Sequence, residues 1–132
     1  MALMTIAKGR SKITETIFEN RMNHVELLNQ MGSSITLKNN IAYINGVKKL
    51  RGRTLVGLDL RSSAALIIAA LTSNSISYVY GLEHLDRGYE NFELKLSGLG
   101  IKIKRQKTNN VNLIDEQNSN LDKKNLSEIK AA

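Results

Sequence analysis

Apolar residues along this chain fall in short runs whose spacing switches between every second position and every third or fourth. That switching is the mark of alternating strands and helices. Residues 2–7 are apolar helix formers closed by Lys8-Gly9, which predicts the C-terminal end of a helix. No N-cap precedes them and Met1 falls inside the periodic segment, so the chain is expected to begin partway through an element. Ser11 to Phe18 alternates, with Ile13, Ile17 and Phe18 apolar, and reads as a strand. Asn20 or Asn23 is placed to cap a helix running through Met31, with Val25, Leu27, Leu28 and Met31 on its apolar face and Gly32 ending it.

Ser34 to Lys38 and Ile41 to Ile44 read as two strands joined by Asn39-Asn40, a hairpin signal. Thr54 to Leu58 is a further strand. Asp59 then stands where it would cap a helix through about Ser73, apolar nearly all round and so expected to be buried. Ser75 to Tyr80 reads as a strand. Arg87 or Gly88 to Leu99 reads as a helix, with Tyr89, Phe92, Leu96 and Leu99 at helical spacing, and Ile101 to Arg105 as a last strand after Gly100. Met31-Gly32 followed by residues 34–38 echoes Leu99-Gly100 followed by residues 101–104, each after a helix. Two copies indicate pseudo-symmetry within a βαβ-type domain rather than a solenoid. From Gln106 the chain turns polar and aperiodic, so residues 106–132 are expected to be a disordered tail, with Leu121 to Ile129 at most a weak helical turn or two.

Composition narrows the class. With 132 residues, 42% hydrophobic and 23% charged, the chain suits one modest globular domain. The absence of cysteine excludes disulfides, a thiolate metal site and a thiol nucleophile or proton donor within it. The apolar run 64–71 is too short to span a bilayer, and no signal-peptide pattern is read at the N-terminus. A cytoplasmic location is therefore expected, without a membrane partner. The net charge of +7 is uneven: residues 1–105 hold fifteen Lys/Arg against eight Asp/Glu, and the remainder holds four of each. A positive folded part suits an anionic partner, either a small phosphorylated metabolite or nucleic acid.

Three arginines stand in short polar motifs where a strand-like run hands over to a helix-like one. They are Arg21 in Thr14-Glu15-Thr16-Ile17-Phe18-Glu19-Asn20-Arg21, Arg61 in Asp59-Leu60-Arg61, and Arg87 in His84-Leu85-Asp86-Arg87-Gly88-Tyr89-Glu90. A guanidinium there can present its fork to a carboxylate or phosphate, and helix N-termini add N–H groups aimed the same way. The bland alternative is three surface arginines in ordinary salt bridges. Likewise Asp59 also reads as only an N-cap, and Ile17 and Phe18 as core. Glu15, Glu19, Asp86 and Glu90 read as partners that orient the arginines, His24 and His84 as surface or packing residues rather than a base or a metal ligand, and Lys102, Lys104 and Arg105 as a solvated strand edge.

Taken together and in this order, the three motifs resemble the C-terminal part of the UDP-N-acetylglucosamine 1-carboxyvinyltransferases, the enolpyruvyl transferases of bacterial peptidoglycan synthesis. The resemblance covers residues 1 to about 105. It implies an α/β fold: a βαβαββ-like repeat unit with a mixed sheet and helices packed on one side, part of an inside-out α/β barrel domain. It implies that Arg21 and Arg61 hold the carboxylate of phosphoenolpyruvate, that Arg87 lies at its phosphate, and that Asp59 lies beside the reacting groups. Ile17, with Phe18, resembles the positions that contact UDP-N-acetylglucosamine. No cofactor and no metal is implied. The sister enolpyruvyl transferase of aromatic amino-acid synthesis shares the fold, but Asp86-Arg87-Gly88-Tyr89-Glu90 is closer to the cell-wall enzyme. The family's lysine–asparagine pair, its loop cysteine and the arginine beside it are absent, and its deprotonating aspartate would lie just before Met1. The chain is therefore expected to be a truncated piece, inactive alone, that needs a missing N-terminal part or self-associates. The alternative is a non-catalytic α/β module binding RNA or another anionic partner. Tyr78, Tyr80 and Tyr89 are too scattered for a stacking platform, so nucleic acid is not the expected partner.

Overall fold

The computed structural model describes residues 1–107 and 127–131. A short 3-10 turn over Ala2–Thr5 leads into β1 (Arg10–Thr14), α1 (His24–Gln30), β2 (Ser34–Lys38), β3 (Ile41–Asn45) and β4 (Thr54–Val56). Then come α2 (Leu60–Ala70), β5 (Ser77–Tyr80), α3 (Leu82–Asp86), α4 (Phe92–Gly98), β6 (Ile103–Lys107) and β7 (Ser127–Ala131). The strands form two sheets, one in the order β1-β3-β2 and one in the order β4-β5-β7-β6. In the first, β3 runs antiparallel to both neighbours. In the second, β4 and β5 are parallel and β7 is antiparallel to β5 and β6, so the sheet is mixed.

The internal echo is topological as well as sequential. β1, α1, β2 and β3 repeat the path of β5, the α3–α4 segment, β6 and β7: two parallel strands with the last strand inserted antiparallel between them. In both copies the helix stops at a glycine in the left-handed region, Gly32 at φ +87° and Gly100 at φ +85°. The second copy is preceded by β4 and α2, which completes its βαβαββ order.

α2 is the hub of the packing. It lies against α1, α3, the N-terminal turn and β5. Leu66, Ile67, Ala69 and Ala70 are buried, as expected for a helix apolar nearly all round. They share one core with Leu28, Met31, Leu50, Leu82, Leu85 and Ile129. The small residues Ala64, Ala69 and Ala70 let the neighbouring elements approach closely, which suits a core with little aromatic volume.

Several expectations need correction. The first strand stops at Thr14, because the Glu15 carboxylate accepts the N–H groups of Ile17 (2.8 Å) and Phe18 (3.2 Å) and turns the chain. That local bond outcompetes the ladder. No helix runs from residue 87 to 99: α3 ends at Asp86, and Asn91 in the left-handed region (φ +47°) separates it from α4. The tail does not stay outside the fold throughout. β7 forms the inner strand between β5 and β6, and Ile129 and Ala131 are fully buried. The expectation of a disordered tail thus fails for residues 106–107, which belong to β6, and for residues 127–131; residues 108–126, with most of the weak helix expected over residues 121–129, lie outside the described residues. At the N-terminus, Met1, Met4 and Ile6 pack against the core and Leu3 is exposed.

Candidate functional site

The segment after β1 forms an open cleft of about 1010 Å³ with the α1 and β2–β3 residues facing it. Ile17, Phe18, Arg21 and Asn23 are among its lining residues. Its wall is built by local polar bonds. Glu15 holds the Ile17 and Phe18 N–H groups, and Asn40 donates its side-chain amide to the Glu15 carbonyl. Those two N–H groups, Ile17 first, and then the positive charge of Arg21 hold the Glu15 carboxyl below its ordinary pKa. Ile17 and Phe18 are not core residues. They are 78% and 52% exposed, on the wall of the cleft. The Arg21 guanidinium lies 3.5 Å above the Phe18 ring centroid, within cation–π range.

Asp59 caps α2. Its backbone is extended (φ −158°, ψ 174°), and its Oδ1 accepts the N–H groups of Arg61 (2.8 Å) and Ser62 (2.9 Å). Ser62 Oγ returns the favour as acceptor of the Asp59 N–H at 2.9 Å, a serine version of the capping box. Ser62 and Ser63 are fully buried, and each hydroxyl donates to the Asp59 carbonyl. The other carboxylate oxygen, Oδ2, accepts the Asn23 amide at 2.9 Å. Partial burial works to raise the Asp59 pKa, but the Ser62 N–H, the Asn23 amide and the Arg61 N–H outweigh it, so the carboxyl sits below its ordinary value.

The α2 N-terminus is therefore not a free anion site of the kind the sequence suggested. Its Arg61 and Ser62 N–H groups are committed to Asp59 Oδ1, and the Ser63 N–H to the Asp59 carbonyl. What remains for an anion is the guanidinium of Arg61, which is exposed and has no side-chain partner among the described residues. Arg87 is also exposed and without a side-chain partner among them. It sits at the C-cap of α3, so no helix N-terminus supports it, contrary to expectation. Its neighbour Gly88 packs on Leu60: a Cβ there would lie 2.7 Å from a Leu60 methyl. Gly81, at φ +77°, makes the same kind of approach, its missing Cβ falling 2.4 Å from the Gly57 carbonyl oxygen.

These contacts gather three corners of the chain around the first turn of α2. Asn23, two residues after Arg21, reaches Asp59; Arg61 is on that turn; Gly88, beside Arg87, packs on it. Asp86 does not orient Arg87. It pairs with Arg105 Nη2 at 2.7 Å, and Arg105 Nη1 lies 3.7 Å from Glu93, pinning α3 and α4 to β6. Arg105 is thus a partner of acidic side chains and not a solvated edge residue. His24 is neutral-favouring: burial first, and then the amino terminus of Met1, lower its pKa, with Asp59 opposing. Sequence reasoning missed the role of Asn23, which it read as a possible helix cap; nothing local signals a partner 36 residues away. Among the described residues no group of three or more His, Cys, Asp or Glu is placed to hold a metal.

The architecture is that of the enolpyruvyl transferases. The solved enolpyruvyl transferase NikO from Streptomyces tendae matches 71% of this chain and 22% of its own length, at 28% identity and a TM-score of 0.65. The EPSP synthase of Acinetobacter baumannii matches 96% of the chain and 26% of its own at a TM-score of 0.62, and at 16% identity this shows the fold alone. Residues 1–96 match the family model of EPSP synthase (3-phosphoshikimate 1-carboxyvinyltransferase), and the chain belongs to that family. Within it, the chain is 80% identical over its whole length to a UDP-N-acetylglucosamine 1-carboxyvinyltransferase of Prochlorococcus marinus subsp. pastoris. It is 61% identical over 98% of its length to the enzyme of that name from Prochlorococcus marinus strain AS9601. The chain spans 29% and 28% of those two relatives.

Proposed function

We propose that this chain is the anion-holding part of an enolpyruvyl transferase of peptidoglycan synthesis. The reaction moves the enolpyruvyl group of phosphoenolpyruvate to the 3-hydroxyl of UDP-N-acetylglucosamine and releases phosphate. Arg21 and Arg61 bind the carboxylate, Arg87 the phosphate, and Asp59 lies beside the reacting atoms. Ile17 and Phe18 contact the nucleotide sugar. The observation that carries this reading is the gathering of the Arg21, Arg61 and Arg87 corners round the first turn of α2. Two of the three guanidinium groups have no side-chain partner among the described residues, and the third is held over a ring at the cleft.

Chemically, the transfer needs a proton delivered to the vinyl carbon and one removed from the hydroxyl. The resemblance assigns both steps to groups outside this chain. What the chain contributes is electrostatic: guanidinium groups that meet negative charge on the substrate. The whole enzyme would act in the cytoplasm at an early step of cell-wall synthesis, with consequences for cell shape and division. The alternative of a non-catalytic RNA-binding module finds no support in the relatives named above, which are all transferases.

The test is a titration of the isotope-labelled chain, followed by NMR. Phosphoenolpyruvate is expected to move the Arg61 and Arg87 side-chain resonances, and UDP-N-acetylglucosamine the Ile17 and Phe18 amides. Arg61→Lys loses the bidentate fork and should weaken the first response while sparing the second, by about 1.5–3 kcal/mol, the range for hydrogen bonds to charged groups. Equal responses in Arg61→Lys and the parent chain would remove Arg61 from the site.

A further inference from the structure

Asn23 occupies the N-cap position of α1, yet it does not cap that helix. Its backbone is helical (φ −59°, ψ −26°) rather than extended, and its side chain makes no bond to the first turn. Asparagine is among the best N-cap residues because its oxygen accepts the N–H groups two or three positions on. Here that local bond is given up for a long-range one, from Asn23 Nδ2 to Asp59 Oδ2 at 2.9 Å. Asp59 Oδ1 already holds the Arg61 and Ser62 N–H groups, so Oδ2 is the oxygen left open for chemistry, and Asn23 occupies part of its acceptor capacity.

The choice of an amide matters. A neutral donor fixes the plane of the carboxylate and favours its ionised form, without offering it a proton or a positive charge. A lysine at this place would neutralise Asp59, and an aspartate would repel it. The same bond joins the loop bearing Arg21 to the helix turn bearing Arg61.

We infer that Asn23 is a positioning residue: it holds Asp59 Oδ2 in a fixed orientation and docks the Arg21 loop against the first turn of α2. The catalytic meaning of this inference rests on the transferase reading, which places Asp59 beside the reacting atoms. The bond itself is tested without substrate, so its failure and the failure of that reading are separable. The charged groups around it are known. On α1, His24 acts on Asp59 through its charge; at the N-terminus, the Met1 amino group acts on His24; on α2, Arg61 acts through its backbone N–H. On the loop before α1, Arg21 lies over Phe18.

The experiment follows the Asp59 side-chain carbon and the Asn23 side-chain amide by NMR across an acid titration of the full chain. In the parent protein, the Asn23 amide protons are expected to shift with the same midpoint as the Asp59 carboxyl. In Asn23→Ala that carboxyl midpoint should rise by about half a pH unit, because a hydrogen bond to the charged form is lost. Asn23→Asp should raise it further, and Asn23→Ser, which keeps a short donor, should restore part of the shift. The Arg61 and Ser62 amides should keep their positions, since the Oδ1 cap is untouched. A merely structural asparagine would leave the Asp59 midpoint where it was. The inference is overturned if Asn23→Ala folds, retains the Arg61 and Ser62 signals and titrates like the parent. It is overturned equally, with no variant needed, if the parent Asn23 amide does not sense the Asp59 titration.

Discussion

At the scale of single residues, the molecule uses short polar side chains to hold backbone in place, at the cleft and at the start of α2. Glu15 turns the chain out of β1, and Asp59 starts α2 with a serine completing the box. Gly81 combines a positive φ with a missing Cβ that would meet the Gly57 carbonyl. Gly81→Ala should therefore lower stability by about 1–3 kcal/mol, the cost of a non-glycine residue in a strained region together with the clash. A denaturant midpoint measured against Gly98→Ala, where nothing lies within 4 Å, isolates that cost from general helix effects. His24 makes a second prediction. Burial depresses its folded pKa below the ordinary 6.5, so its contribution is present in full above that value and is lost as pH falls through the folded one. Thermal midpoints should drop on acidification from about pH 7 to about pH 5, and His24→Gln should flatten much of that drop. Asp59, also depressed, loses its share only in stronger acid, below its unfolded value of 3.8.

At the scale of elements, the two sheets show one path used twice, and the last strand of each copy is the one that closes it. β3 closes the first copy by a two-residue turn with Asn39 at φ +52°. β7 closes the second from far along the chain, and its Ile129 and Ala131 enter the core shared with α2. Without β7, β5 and β6 would lose their common partner and α2 part of its floor. Ile129→Ala should cost about 2–5 kcal/mol, the range for truncating a buried Ile. An equal midpoint for the parent and the variant in urea unfolding would mean that β7 does not carry this load.

At the scale of the whole molecule, the chain spans 29% of the relative it matches at 80% identity, and its cleft is open. Purified alone, it should release no phosphate from phosphoenolpyruvate and UDP-N-acetylglucosamine above background, because the proton-transfer groups that the family resemblance assigns lie outside it. A phosphate-release assay at high protein concentration checks this, and turnover would place a complete proton relay within these residues. The net charge of +7 gives the molecule a field that favours anionic ligands over neutral ones, and phosphoenolpyruvate binding should weaken as salt is raised.

Local pattern alone was enough for much of the fold. The Asn39-Asn40 turn, the Asp59 cap, the all-round apolarity of α2 and the stops at Gly32 and Gly100 are short-range properties, governed by residues within one or two turns of one another. The strand–helix alternation and the internal echo followed from the same signals, and so did the three arginine motifs. Tertiary structure decided what depends on contacts distant in sequence. Residues 127–131 lack a strong pattern of their own and become a strand because β5 and β6 offer backbone partners on both sides. Asn23 leaves its own helix because Asp59, far along the chain, holds an unfilled oxygen. Asp86 turns to Arg105 and not to its neighbour Arg87, since α3 and β6 meet there in space. Ile17 and Phe18, apolar enough to read as core, stay exposed because Glu15 and Asn40 bend their segment out over the cleft. A sequence pattern records the preference of each residue for its neighbours; which distant group satisfies the remaining donor, acceptor or apolar face is settled when the chain packs.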